Sequence, residues 1–189
     1  LPNIPFMRPK DHDEATAFLN LHGTIIAKPT TGSGSQDMHI VTSANQLHAL
    51  AIKGYILEKY IVGREMRYLV LNGAVIAVHH SEYGSSVDEN RYLERFSIAA
   101  SNWDSDLVAR STDIAGIMGL GFSAIDYLVD ADGIAHILEV NSAPGLKWFH
   151  APTTGPAVDV ATLFLLAMLD ELTLSFDDDA GEIMPHWYT

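Results

Sequence analysis

Cysteine is absent from the 189 residues, which excludes disulfides, thiolate metal sites and a cysteine nucleophile and makes a reducing compartment such as the cytoplasm the expected setting. Basic residues are scarce. Lys plus Arg total 11 against 24 Asp plus Glu, a formal net charge of -13, so binding of a nucleic-acid backbone by counterion release is not expected. Long apolar runs are lacking too: the longest, residues 160–169, lies inside a helical pattern and falls far short of the roughly 20 residues that span a bilayer. The opening Leu1-Pro2-Asn3-Ile4-Pro5 has neither an initiator Met nor a basic-then-apolar leader, and reads as a boundary within a longer chain rather than as a signal peptide. No repeat or low-complexity tract is present. What remains is 48% hydrophobic, enough to build one domain or two closely packed subdomains.

Residues 11–21 carry an acidic first turn and an apolar stripe of Ala15, Phe18 and Leu19, which predicts a helix stopped by Gly23. Strands are expected at 24–28 and 38–42 around a small-residue loop. Ser43-Ala44-Asn45-Gln46 is a capping-box signature opening a short helix, and 55–61 is a further strand. Asn72-Gly73 joins strands 65–71 and 74–79 in the strongest two-residue hairpin signal. Residues 81–101 are polar and aperiodic, a long connection of the functional or mobile kind. Residues 104–118 have one apolar face and predict a helix. Strands at 124–129 and 134–141 flank Asp130-Ala131-Asp132-Gly133, and a helix at about 159–172 is expected to close the core. Helices mixed with antiparallel hairpins, and few βαβ units, predict an α+β fold.

In Thr31-Gly32-Ser33-Gly34-Ser35, glycines let backbone amides approach a phosphate. No Gly-Lys-Ser/Thr follows and the loop leads into a strand, so neither a Walker A loop nor a Rossmann fingerprint is present, and an ordinary polar hairpin loop is the plain alternative. Lys28, at the end of an apolar strand, is placed to meet a phosphate held by that loop; a snorkelling surface lysine is its bland account. Glu65 and Arg67 share a strand face, where charges usually have a partner, a cross-strand ion pair being the simplest. If the second hairpin centres on Ala131-Asp132 with Asp130 facing Gly133, Asp126 faces Ile137 and shares a face with Glu139 and Asn141. Three oxygen donors of this kind suit Mg²⁺, and the two carboxylates, set in apolar strands, would be costly unless paired or metal-bound. The adjacent His79 and His80 point to opposite faces and form no zinc motif, and no Gly-x-Ser-x-Gly elbow supports a hydrolase triad.

In chain order, the Lys28 strand, the Thr-Thr-Gly-Ser-Gly loop, Leu-Glu-Lys-Tyr-Ile, Gly-Arg-Glu-Met-Arg, Ala-Ile-Asp-Tyr-Leu and Leu-Glu-Val-Asn-Ser-Ala-Pro-Gly-Leu resemble the ATP-grasp superfamily, most closely the RimK-type glutamate ligases. Glu and Asn two apart before Pro-Gly are the most specific element. Thr153-Thr154-Gly155 and Asp159-Val160-Ala161 are similar to that subfamily as well, and the resemblance covers residues 5–172.

The resemblance implies an ATP-grasp fold of two α+β subdomains, about 1–60 and about 61–175, with antiparallel sheets gripping a nucleotide between them. It implies that Lys28 and the loop contact ATP phosphates, that Glu58, Lys59, Tyr60 and Ile61 form an adenine hinge, and that Glu65 holds the ribose. Asp126, Glu139 and Asn141 would hold Mg²⁺, with Mn²⁺ as an alternative. Arg67, with Arg91 or Arg95, would stabilise the transferring phosphoryl group and the acyl-phosphate oxyanion; Leu93 stands where the family usually has Asn. The implied activity is carboxylate-amine ligation through an acyl phosphate, releasing ADP and phosphate. The partners would be a carboxylate on a protein tail, peptide or small metabolite and an amino-acid amine, and an oligomer is compatible. Family members carry a further N-terminal domain, expected upstream of this chain. The alternative is a nucleotide-binding regulatory module or ligase fragment without activity.

Overall fold

The computed structural model describes residues 3–31, 37–83 and 92–174. By contact the chain divides into two units, residues 1–64, 83–93 and 127–137 in one and 65–82, 94–126 and 138–189 in the other.

The first unit is built on a four-stranded antiparallel sheet. Its strands are β1 (Phe6–Met7), β2 (Ile25–Pro29), β3 (His39–Val41) and β4 (Tyr55–Lys59), in the order β1-β4-β2-β3. Helix α1 (His12–His22) begins where Asp11 accepts from the Glu14 N–H and ends at Gly23, whose φ of 78° suits glycine. Helix α2 (Ala44–His48) is opened by Gln46, whose Oε1 accepts from the Thr42 and Ser43 N–H groups at 2.8 and 3.1 Å. Ala15 and Leu19 of α1 and Leu47 of α2 close on Ile25, Ala27, Val41, Ile52 and Leu57 as one buried cluster. The 3.6 and 2.0 periods of the sequence converge there.

A five-stranded sheet runs in the order β7-β6-β5-β8-β9, from β5 (Gly63–Leu71), β6 (Ala74–Tyr83), β7 (Tyr92–Ser97), β8 (Phe122–Asp130) and β9 (Ala135–Asn141). Asn72 and Gly73 take φ of 47° and 76°, as a two-residue hairpin turn with both centres at positive φ requires. A bulge between Leu69 and Val70 then shifts the β5/β6 register by one. Helix α3 (Ser105–Ile117), capped by Asp104, buries Leu107, Ser111 and Ala115. A short helix α4 (Lys147–His150) seats Phe149 in a core with Leu69, Ala77, Ala124 and Val160.

Three expectations are corrected. The connection 81–101 is not aperiodic throughout: β6 continues to Tyr83 and Tyr92–Ser97 is a strand. Among its described side chains Arg95 and Ser97 are buried and Phe96 between them is not, the inverse of the usual alternation. Helix α5 (Val160–Leu174) does not close the core along its length. Val160 is buried and Phe164 meets Phe122 edge-on, but Leu165, Leu166 and Leu169 remain more than half exposed. In the second hairpin the Asp130 N–H donates to the Ile134 carbonyl and the Gly133 N–H to the Asp130 carbonyl, with Gly133 at φ 78°. Asp130 therefore pairs with Ile134 rather than Gly133, a turn with a glycine bulge.

Gly155 lies at φ 94° beside a parallel bridge between Phe96 and Thr154, with the Ser97 carbonyl where a Cβ would stand. Gly116, inside α3, has open space there. Gly155→Ala is expected to destabilise by at least about 2 kcal/mol, from strain and clash together. Gly116→Ala should stabilise by about 0.5 to 1 kcal/mol through helix propensity. Urea unfolding of the two variants reads both signs.

Candidate functional site

Of the residues singled out in the sequence, the second unit gathers Arg67, Asp126 and Glu139. Residues 123–127 of β8 are all buried, and Asp126 is 1% exposed. A carboxylate there needs a counter-charge. Arg67 of β5 supplies it with a two-point fork, Nε to Oδ1 at 2.6 Å and Nη2 to Oδ2 at 2.5 Å, the planar geometry that guanidinium and carboxylate share. The same Nη2 lies 3.6 Å from Glu139 Oε1 on β9. Strict alternation from the Asp130/Ile134 pair would send Glu139 to the opposite face from Asp126, yet Arg67 reaches both acids. Asn141, at the end of β9, turns its Oδ1 onto the Ala143 N–H at 2.9 Å. Glu65, two residues before Arg67 on the same face, is buried.

Burial works against the Arg67 charge, but the hydrogen bonds and charge of Asp126, backed by Glu65 and Glu139, outweigh it and raise its pKa. Glu139, whose side chain is more than half exposed rather than enclosed by its apolar strand, is pushed up by its partial burial and by its hydrogen bond and charge contact with Asp126, against the pull of Arg67. Two carboxylates this close favour a shared proton or a cation between them. Among the described residues, no three His, Asp or Glu side chains form a metal cluster. Asp126 and Glu139 offer carboxylate oxygens here, and Asn141, two residues after Glu139 on β9, carries an amide oxygen; oxygen donors alone fit Mg²⁺, an ion that keeps waters and completes its shell on phosphates.

His79 is a residue the sequence reading did not place in this site. The bulge at Leu69/Val70 puts it directly across from Arg67, where an unbroken ladder from Asn72-Gly73 would have put Val78. Its ring packs 4.6 Å from Phe149 and its Nδ1 is buried without a hydrogen-bond partner. Burial first, then the charges of Arg67, Arg95 and His80, lower its pKa to about 3. Arg95 is buried; its backbone exchanges bonds with Thr153 and its guanidinium lies 5.8 Å over the Trp148 ring. Thr153-Thr154-Gly155 thus anchors the β7 backbone. Arg91 lies outside the described residues.

In the first unit Lys28 and Glu58 are diagonal neighbours across β2 and β4 and form an ion pair of 2.5 Å. The Lys59 and Tyr60 N–H groups donate to the Pro5 and Thr24 carbonyls at 2.8 and 3.0 Å. Thr31 is exposed, and Gly32, Ser33, Gly34 and Ser35 lie outside the described residues. A hollow of about 460 Å³ lined by Asp11, His12, Ala51, Ile52, Lys53 and Gly54 contains none of the predicted site residues.

The buried His79 sets an acid dependence. An imidazole neutral down to about pH 3 when folded, with an ordinary value of 6.5, means that the unfolded chain binds the extra proton between those limits. Stability is then unaffected by His79 above pH 6.5 and is lost as pH falls below it. His79→Gln should flatten the acid limb of stability against pH between 4 and 6, by up to about 1.4 kcal/mol per pH unit. Equal slopes in urea unfolding of the two proteins would put His79 in contact with water.

No protein-family model matches the chain. It is 23% identical over 172 residues to D-alanine–D-alanine ligase A of Bacillus cereus, covering 83% of this chain and 57% of that protein. It is 29% identical over 139 residues to the D-alanine–D-alanine ligase of Actinobacillus succinogenes, covering 65% and 45%. The chain thus spans about half the length of these relatives. Among solved structures, the macrocyclase MdnC of Microcystis aeruginosa, bound to its precursor peptide MdnA, superposes with a TM-score of 0.72 at 13% identity over 90% of this chain and 56% of MdnC. The ATP-grasp ligase PsnB, complexed with minimal precursor, Mg and ADP, does so at 0.70 and 18% over 89% and 53%. The chain therefore has the ATP-grasp fold and is related in sequence to D-alanine–D-alanine ligases.

Proposed function

We propose that this chain is the nucleotide-binding and catalytic part of an ATP- and Mg²⁺-dependent carboxylate-amine ligase. The observation that carries the reading is the Arg67–Asp126–Glu139 cluster on strands of an ATP-grasp fold, with Asn141 two residues after Glu139 on β9. Asp126, Glu139 and Asn141 would hold Mg²⁺, which supplies charge neutralisation at the phosphates. Arg67, with Arg91 or Arg95, meets the transferred phosphoryl group and the oxyanion. Lys28 and residues 31–35 meet the phosphates, Glu58 to Ile61 the adenine, and Glu65 the ribose. With the Lys59 and Tyr60 N–H groups committed to the sheet, the adenine edge falls to other backbone groups of that stretch. A substrate carboxylate is phosphorylated to an acyl phosphate, an amine displaces the phosphate, and ADP is released; the protein's share is positioning and charge stabilisation.

The amine is an amino acid. D-alanine–D-alanine ligases among the relatives support that class, and the RimK-type resemblance favours glutamate. Neighbours solved with precursor peptides support a peptide carboxylate on the acceptor side. Release of ADP by the full-length protein, driven by an amino acid and a carboxylate peptide, tests the reading. Nucleotide binding with no ADP release under any amino acid would leave a binding module.

Three substitutions test the assignments. Lys28→Ala is expected to weaken binding of a non-hydrolysable ATP analogue about tenfold or more, the size of one charge-assisted contact, in a chain that still folds. An unchanged affinity by calorimetry removes Lys28 from the phosphates. Glu139→Gln should lower ADP release roughly 100-fold, as losing one preorganised charge-stabilising group does. Asn141→Ala should abolish the extra thermal stabilisation that Mg²⁺ gives in the presence of the analogue. If both variants match the wild type, the β8/β9 hairpin is not the metal site.

A further inference from the structure

Asp126 is assigned to a cation while both of its oxygens already accept from Arg67. We propose that Arg67 and a divalent cation compete for the Asp126 carboxylate, so that the site takes up a cation together with a polyphosphate and discriminates against the cation alone. This rests on the ligase reading for the cation ligands and goes beyond it by fixing what the site admits.

A cation bound about 2.1 Å from an Asp126 oxygen would share that carboxylate with the Nη2 that sits 2.5 Å from Oδ2. Two positive centres on one buried carboxylate repel, and with Asp126 1% exposed there is little water to screen them. The acids left to the guanidinium are both assigned elsewhere in this reading: Glu139, 3.6 Å from Nη2, is a cation ligand, and the buried Glu65, whose charge also acts on Arg67, holds the ribose. His79, across from Arg67, offers no negative charge, and Arg95 is a further cation near His79.

A polyphosphate resolves the conflict. Its oxygens accept the same planar fork that Asp126 accepts, so Arg67 exchanges one anion for another while the cation takes over Asp126. The exchange is a coupling between two ligands. Whatever factor the polyphosphate contributes to cation affinity, the cation returns to polyphosphate affinity. Arg67 then discriminates between a free divalent cation and a cation–nucleotide pair.

The test uses Mn²⁺ as the probe, with free Mn²⁺ counted by electron paramagnetic resonance on the full chain, with and without a non-hydrolysable ATP analogue. Wild type should bind Mn²⁺ alone weakly and about tenfold or more tighter with the analogue, within the usual range of such couplings. Arg67→Ala should bind Mn²⁺ alone about tenfold tighter than wild type and lose most of the analogue's enhancement. Arg67→Lys, a single-point contact, should fall between. Arg67→Ala leaves a buried carboxylate without its partner, so folding is checked by circular dichroism; if it does not fold, the sign of the Arg67→Lys shift decides. Mn²⁺ affinity that falls or stays constant in the Arg67 variants overturns the proposal, because Arg67 would then orient Asp126 for the metal instead of competing with it. Asp126→Asn that binds Mn²⁺ like wild type in the presence of the analogue overturns the metal assignment and the proposal with it, a result distinguishable from the first.

Discussion

A carboxylate on a central, buried strand is the constraint from which this site is built. Asp126 lies in β8 between β5 and β9, within five consecutive buried residues, where an unpaired charge would be driven to neutralise. The Arg67 fork on one neighbouring strand prevents that, and it sets the electrostatics of what surrounds it. Glu139, drawn to the same guanidinium from the other neighbouring strand, is held beside a like charge and shifted up. His79, across from Arg67, is kept neutral by burial and by that positive charge together. A buried ion pair is weak evidence for stability in its own right.

The placement of these groups depends on breaks in regular pairing. Asn72-Gly73 announces its hairpin from sequence because only a positive φ at both centres fits the strand twist. Nothing in Leu69-Val70 announces the bulge that moves His79 across from Arg67. Likewise the Asp-Ala-Asp-Gly turn is legible, but Gly133 adds a residue to the loop and shifts the pairing that the sequence implies. The proximity of Asp126 and Glu139 expected from sequence is found, but by a path the simple register does not describe. Side-chain period is a reliable guide to a strand's existence and a poor one to its partner, since a one-residue slip reverses every face.

The same logic separates what was legible elsewhere. Capped helices and strands with alternating burial, such as α1 and β2, follow from local chemistry acting alone. In strand β7 the alternation is obscured where its side chains are described: Arg95 and Ser97 are buried polar residues, and Arg95 is held by tertiary contacts with Thr153 and Trp148. Helix α5 misled in the opposite direction. Its residues 160–169 are apolar on nearly all sides, which predicts burial, whereas among the described side chains Val160 is buried, Phe164 meets Phe122, and Leu165, Leu166 and Leu169 stay more than half exposed.

Lys28 repeats in the first unit the arrangement of Arg67 in the second. Each is a strand-borne cation held by an acid on the adjacent strand, Glu58 at 2.5 Å in one case and Asp126 in the other. The difference lies in burial. Lys28 and Glu58 keep a fifth or more of their side-chain surface exposed, so solvent offsets part of the pairing and a phosphate can draw the ammonium away at modest cost. Asp126 has almost no water to fall back on, so releasing Arg67 requires another cation to arrive in its place. Within one chain, a loosely held cation can meet an anion directly, and a tightly held one can do so only by exchange.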